Sequence, residues 1–264
     1  MTSIPAAAAA FKQKRLNLWV NATAPCLSID GWRKGQSTWD PATLEGESCF
    51  VGIDLASKID LASLVAAFPP VAGVRGWRWL RFIWTPADTL AERAHRDRAP
   101  YEVWVEQGWL RTTPGTRIDA KVAREALVWL RDQGFVIARI GYDPWHADDS
   151  INALTDPNGE FGFDEEQVLA VAQTYAGMSL GCLEVQAEIL GGNVDAGGCP
   201  VTAWSVSNTV GQNDGKGNLM FAKGKSRGRI DPVIAGTIAM ALWKRFGETD
   251  AGDSVYEDRG VLEL

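Results

Sequence analysis

The sequence predicts an α/β protein, with helices packed on a mixed sheet. Three observations carry that prediction. Residues 49–68, CFVGIDLASKIDLASLVAAF, hold two apolar runs of strand length around a short polar turn, Ser57-Lys58-Ile59, which is the pattern of an antiparallel hairpin. Residues 77–84, after Pro69-Pro70, supply a third strand, and short connections between successive strands give an antiparallel meander. An amphipathic helix over 119–132 then leads into the apolar strand FVIARIGY at 135–142. A strand that follows a crossover helix adds to the sheet in parallel.

The remaining elements follow from local pattern. Residues 6–20 read as a helix, with Phe11, Leu16, Leu18 and Trp19 among Lys12, Lys14 and Arg15. Residues 21–48 read as irregular, broken by Pro25, Gly31, Gly35, Pro41 and Gly46. Helices are expected over 87–97 and 99–107, and a short extended piece over 109–113 stopped by Pro114-Gly115. Gly134 closes the helix at 119–132 in the usual C-terminal manner. Beyond Asp143 the pattern is helical to about Tyr175, interrupted at Asp156-Pro157-Asn158-Gly159. Residues 180–190 form another helix ended by Gly191-Gly192. Residues 201–210 and 219–222 read as extended, with the turn Asn213-Asp214-Gly215 between them, and a strong helix runs over 231–246. This divides the chain into a helix and connector over 1–48, one main domain over 49–247, and an acidic, fraying tail over 248–264.

A chain of 264 residues with 46% hydrophobic residues can bury a substantial core. Its apolar runs are far shorter than a membrane span, and the basic residues near the start follow the short Ala run, which is the wrong order for a secretory signal. Cys26, Cys49, Cys182 and Cys199 are widely spaced with no CxxC pair, so they read as reduced thiols and neither a disulfide frame nor a zinc site. A net charge of −7 argues against a general nucleic-acid coat but leaves room for a local basic groove.

Three aspartates stand at comparable points of structural punctuation. Asp54 lies in the first strand, Asp143 at the carboxyl end of the parallel strand and Asp231 at the start of the last helix. Ligands of open α/β sheets bind at the carboxyl ends of strands. Each aspartate also has a plain structural reading. Asp54 and Asp60 can be strand-end residues facing water, Asp143 before Pro144 can end its strand, and Asp231 before Pro232 has the look of an N-cap. Three converging carboxylates would repel one another unless a cation joined them, and Mg²⁺ or Mn²⁺ is the hard ion that oxygen ligands prefer. Asp60 and the pair Asp148-Asp149 are auxiliary candidates.

The pieces FKQKRLNLWV, VGIDLASKIDLASLV, WLRTTPG, RIGYDPWHA and VSNTV followed by KSRGRIDPVIAGTIAMAL resemble, in order, the C-terminal nuclease domain of the large terminase subunits of HK97-like tailed phages. The resemblance runs from about Phe11 to Phe246. It implies a ribonuclease H-like fold over 49–247 and metal-dependent cleavage of double-stranded viral DNA during packaging in the host cytoplasm. It assigns the catalytic and metal-binding roles to Asp54, Asp143 and Asp231, with Asp60 as a supporting ligand, and it implies two Mg²⁺ or Mn²⁺ ions. It also implies as partners a terminase ATPase domain, the small terminase subunit and the portal. A junction resolvase on the same fold, or a non-catalytic module docking on portal or DNA, are the alternatives.

The family's motor half begins with a P-loop, and the expectation here is a chain without one. The triplet Gly224-Lys225-Ser226 lacks the required glycine five positions earlier, where Leu219 stands. The basic run Lys223, Lys225, Arg227 and Arg229 leads directly into Asp231 and is the candidate DNA-backbone contact, with Lys58 beside the hairpin turn and Arg139 as further candidates. Its plain reading is a solvated loop. His95 and His146 read as surface residues.

Overall fold

The structure is a computed structural model that describes residues 26–55, 61–71, 73–119, 121–144, 154–156 and 161–250, with backbone alone at 248–250. The expected helix at 6–20, the hairpin turn with Lys58 and Asp60, the segment holding His146, Asp148 and Asp149, and the tail beyond 250 lie outside the described residues.

The meander is present. Strands β1 (Ser48–Asp54) and β2 (Ala62–Phe68) pair antiparallel, and β2 pairs antiparallel with β3 (Trp77–Pro86). After α2 (Leu90–Asp97) and α3 (Tyr101–Glu106), strand β4 (Arg111–Thr113) adds in parallel to β3. Helix α4 (Lys121–Asp132) crosses over to β5 (Val136–Tyr142), which lies parallel to β1 as the crossover rule requires. The sheet order is β4-β3-β2-β1-β5-β6, where β6 is Val168–Ala170; β7 (Val194–Asp195) pairs with the start of β3.

Side chains alternate across the strands and so build two cores. Val51, Ile53, Leu64, Ala66 and Phe68 face Ala126, Leu127 and Leu130 of α4. Phe50, Val65, Ala67, Trp79 and Ile83 face the opposite layer, led by helix α7 (Asp231–Asp250) and the helix packed on it, α5 (Tyr175–Gly191). Helix α7 lies on the sheet and is in turn covered by α5 and α6 (Pro200–Asn208), so residues 232–242 are buried all round. Small residues let it sit so close. A Cβ on Gly52 would stand 1.9 Å from the Ala235 carbonyl oxygen and 2.8 Å from the Ala239 nitrogen.

Four expectations are corrected. Residues 201–210 are not extended: Pro200 opens α6, whose buried Val201, Thr202, Ser205 and Val206 recur at helical spacing. Ser205 Oγ donates to the Val201 carbonyl at 2.9 Å and Thr209 Oγ1 to the Ser205 carbonyl at 2.8 Å, so these two hydroxyls are satisfied within the helix and its C-terminal cap. Residues 168–170 are a strand and not helix, because pairing with the edge of β5 outweighs local propensity. The lead-in before β1 is not wholly irregular, since α1 (Ile29–Gly35), capped by the Ser28 side chain, and a 3-10 turn at Pro41–Leu44 lie there. Helix α5 begins at Tyr175, five residues before the expected start, and Gly192 closes it in the left-handed conformation. The turn at 213–215 joins β8 (Gly211–Asn213) and β9 (Leu219–Phe221), a two-stranded hairpin that packs on α5, where the Leu219 nitrogen donates to Ser179 Oγ at 3.1 Å. All four cysteines are buried and free.

Candidate active site

The geometry of the site follows from strand parity. Phe50, Gly52 and Asp54 share the face of β1 on which α7 lies, so the last residue of β1 turns its carboxylate toward the start of that helix. In β5, a Cβ on Gly141 would meet Ile238 and Leu242 of α7, and Asp143 is two residues further on the same parity. The register pairs Ile53 with Tyr142, so Asp54 and Asp143 are neighbours one residue beyond it. Asp231 stands one helical turn before Ala235, the residue that touches Gly52. The Ile230 carbonyl accepts from the Val233 and Ile234 nitrogens, so Ile230 caps the helix and Asp231 is its first residue. This corrects the N-cap reading: the Asp231 carboxylate turns to Lys223, and the positive end of the helix dipole favours its charge.

All three aspartates are buried. Lys223 extends into them from the 3-10 turn that follows β9. Its Nζ lies 2.6 Å from Asp54 Oδ2, 2.8 Å from Asp54 Oδ1 and 2.9 Å from Asp231 Oδ1. The Gln173 amide donates to Asp54 Oδ1 at 3.5 Å, a long contact. Burial and, to a lesser degree, the charges of Asp231 and Asp143 outweigh the pull of Lys223, and together they leave the Asp54 carboxyl pushed up to about 7. For Lys223 burial alone favours the neutral amine, but Asp231 and Asp54 override it and hold the ammonium well above the ordinary lysine range.

The donor chemistry suits a hard divalent cation, since three carboxylates gather with a positive group already lodged on two of them. Among the described residues, no three acidic, imidazole or thiol side chains form a compact ligand group as they stand, and Lys223 lies between Asp54 and Asp231.

The basic run divides into three roles where the sequence suggested one. Lys223 is drawn inward, so in this arrangement it does not face a DNA backbone. Arg229 is also turned away from that role: its guanidinium binds Asp97 in bidentate fashion, at 3.1 and 3.2 Å, and builds a link to α2. Lys225 and Arg227 are the exposed members and remain on the surface beside the site. Arg139 donates to the Glu166 carbonyl at 2.9 Å and lies over the Phe246 ring, which gives it a structural role. His95 is exposed, as expected. Gln173 carried no signal in the sequence, and the inward course of Lys223 had one faint clue, a cation eight residues before Asp231.

The family model for the terminase large subunit, endonuclease domain, matches residues 2–248. The large terminase subunit of Enterobacteria phage HK97 is 32% identical over 237 residues, covering 87% of this chain and 44% of that protein. Protein YmfN of Escherichia coli strain K12 is 26% identical over 268 residues, covering 96% of this chain and 56% of that protein. The crystal structure of the HK97 large terminase is similar with a TM-score of 0.72 at 29% identity, over 88% of this chain and 46% of that one. The chain spans about half the length of the curated relatives it matches. A mixed sheet flanked by helices, with the acids at its strand ends, is the ribonuclease H-like arrangement, and the match over nearly all its residues makes the chain a member of the terminase large subunit endonuclease-domain family.

Proposed function

We propose that this chain cleaves double-stranded DNA as a divalent-metal-dependent endonuclease during the packaging of a phage genome. The observation that carries the reading is the convergence of Asp54, Asp143 and Asp231, distant in sequence, into one buried acid cluster at the strand ends. Asp54 and Asp143 offer carboxylates from adjacent parallel strands, and Asp231 offers its own from the helix above them. Asp60 is a further proposed ligand. Two Mg²⁺ or Mn²⁺ ions held there would supply a hydroxide nucleophile near neutral pH and offset charge on the departing 3′ oxygen. The residues themselves fix the positions of those charges and, being buried, keep them in a medium where electrostatic effects are strong.

Lys225 and Arg227, exposed on the loop that enters Asp231, would hold backbone phosphates without reading bases, and their exposure supports a reading of low sequence selectivity. Lys58 is proposed for the same task. The Gly224-Lys225-Ser226 triplet runs through a 3-10 turn at Lys223–Lys225 and opens no α-helix, which supports a reading in which ATP hydrolysis is no part of this chain's activity. Force for packaging would come from a terminase ATPase domain, and site choice from the small subunit and the portal. The host cytoplasm is the proposed setting; among the described residues no helix is long and apolar enough to cross a membrane.

Supercoiled-plasmid cleavage with Mn²⁺, Mg²⁺ or EDTA tests the reading. Wild type is expected to nick and linearise the plasmid with metal alone, and Asp143→Asn to lose at least about 10³-fold in rate. Cleavage that persists in EDTA, or in folded Asp143→Asn protein, would sink it.

A further inference from the structure

Lys223 does more in the acid cluster than a nearby surface lysine would. Its Nζ contacts both oxygens of Asp54, at 2.6 and 2.8 Å, and Oδ1 of Asp231 at 2.9 Å. A hard divalent ion bound by these oxygens would sit about 2.0–2.6 Å from them. The two positions overlap and use the same lone pairs, and two positive charges so close would repel strongly. One cation has to leave before the other can enter.

The surroundings give the ammonium somewhere to go. Lys223 is carried on a short 3-10 turn, and its neighbour Gly224 has nothing within 4 Å of where a side chain would begin. A cavity of about 280 Å³ opens beside it, lined by Gln173, Met178, Met220, Lys225 and Ile234 together with Lys223 itself. A four-carbon stem can swing its head into that space without moving the backbone.

We propose that Lys223 is an internal counter-cation that closes the acid cluster, so that the site is loaded by exchange of its ammonium for a divalent ion. The inference rests on the metal-site reading above. In the closed state Lys223 holds the start of α7 to the end of β1, by bridging Asp231 and Asp54. In the loaded state it stands aside in the neighbouring cavity, on the same side as Lys225. Closure by an internal cation would keep an isolated acid cluster from flying apart, and it would set a threshold of metal concentration below which the site stays shut.

Calorimetric titration of the whole chain with Mn²⁺ alone tests this. Lys223→Gln is expected to bind Mn²⁺ at least tenfold more tightly than wild type, with Asp54→Asn losing that binding. Equal or weaker binding by Lys223→Gln overturns the exchange while leaving the metal reading intact. Absence of binding by both wild type and variant overturns the two together. A second measurement needs wild type alone and so survives a variant that does not fold. Acetylation by an amine-reactive reagent, read at Lys223 by peptide mass spectrometry, is expected to rise several-fold when Mn²⁺ is added, while Lys225 stays constant. Unchanged or reduced labelling of Lys223 overturns the proposal.

Discussion

Two of the buried carboxylate–cation clusters among the described residues, around Asp97 and around Asp54, are built to opposite ends. Around Asp97, at the end of α2, one carboxylate meets two arginines and a tyrosine. Arg96 donates at 2.9 and 3.0 Å, Arg229 at 3.1 and 3.2 Å, and the Tyr101 hydroxyl at 2.9 Å. Burial alone would raise the Asp97 carboxyl, but those donors outweigh it and hold it below the usual carboxylate range. Around Asp54 the balance differs: one ammonium is seated on the carboxylates of Asp54 and Asp231, with the charge of Asp143 close by, and burial leads in pushing the Asp54 carboxyl up. The first cluster has more positive charge than it needs and acts as a strut between α2 and the loop before α7. In the second, the charges of Asp231 and Asp143 push against that of Asp54, a repulsion that an incoming cation would relieve. A buried carboxylate is therefore informative through its partners more than through its burial.

The comparison can be broken most severely at Gly52, which carries no charge. A methyl group there would strike the backbone of α7, at Ala235 and Ala239, so the helix has to shift on the sheet. Gly52→Ala is expected to cost about 3 kcal/mol of stability. Displacing Asp231 from Asp54 by even about 1 Å is expected to slow cleavage about 100-fold. Thermal melting and plasmid cleavage on the same preparation check both effects; unchanged cleavage would mean that α7 does not set the position of the acids.

Asp97→Asn sharpens the contrast from the other side. It should cost about 2 kcal/mol, since it weakens charged hydrogen bonds on a partly buried group, and leave the cleavage rate of the folded protein unchanged. The sign of its pH dependence is fixed by the direction of the shift. Because folding lowers the Asp97 pKa, its stabilisation is present above the unfolded value of about 3.9 and is lost as pH falls through the lower folded value. Urea melts of wild type and variant should therefore differ most near neutral pH and converge in acid. A gap that widens in acid would contradict the assignment.

The smallest expected effect lies at the surface. Lys225→Ala and Arg227→Ala are each expected to weaken duplex DNA binding a few-fold at low salt and to lower the salt slope by about one. Fluorescence anisotropy over a salt series reads both. Arg229→Ala, by contrast, should act on melting temperature through Asp97 and leave the salt slope alone.

The sequence by itself determined the meander, the crossover helix that makes β5 parallel to β1, and the placement of Asp54, Asp143 and Asp231 at the ends of their elements. These are consequences of periodicity and of proline and glycine punctuation, which act over a few residues and are visible in them. The motifs around those aspartates also pointed to the family. Tertiary structure alone decided that the three carboxylates face the same side of the sheet, because that depends on the register of β1 against β5 and on how closely α7 can approach two glycines. It alone separated the basic run, sending Lys223 to the acids and Arg229 to Asp97 while leaving Lys225 and Arg227 in water. Partners 132 and 169 residues apart in the chain select those side chains. The same cause turned residues 200–208 into a helix: burial against α7 and internal hydrogen bonds outweighed a composition that reads as strand.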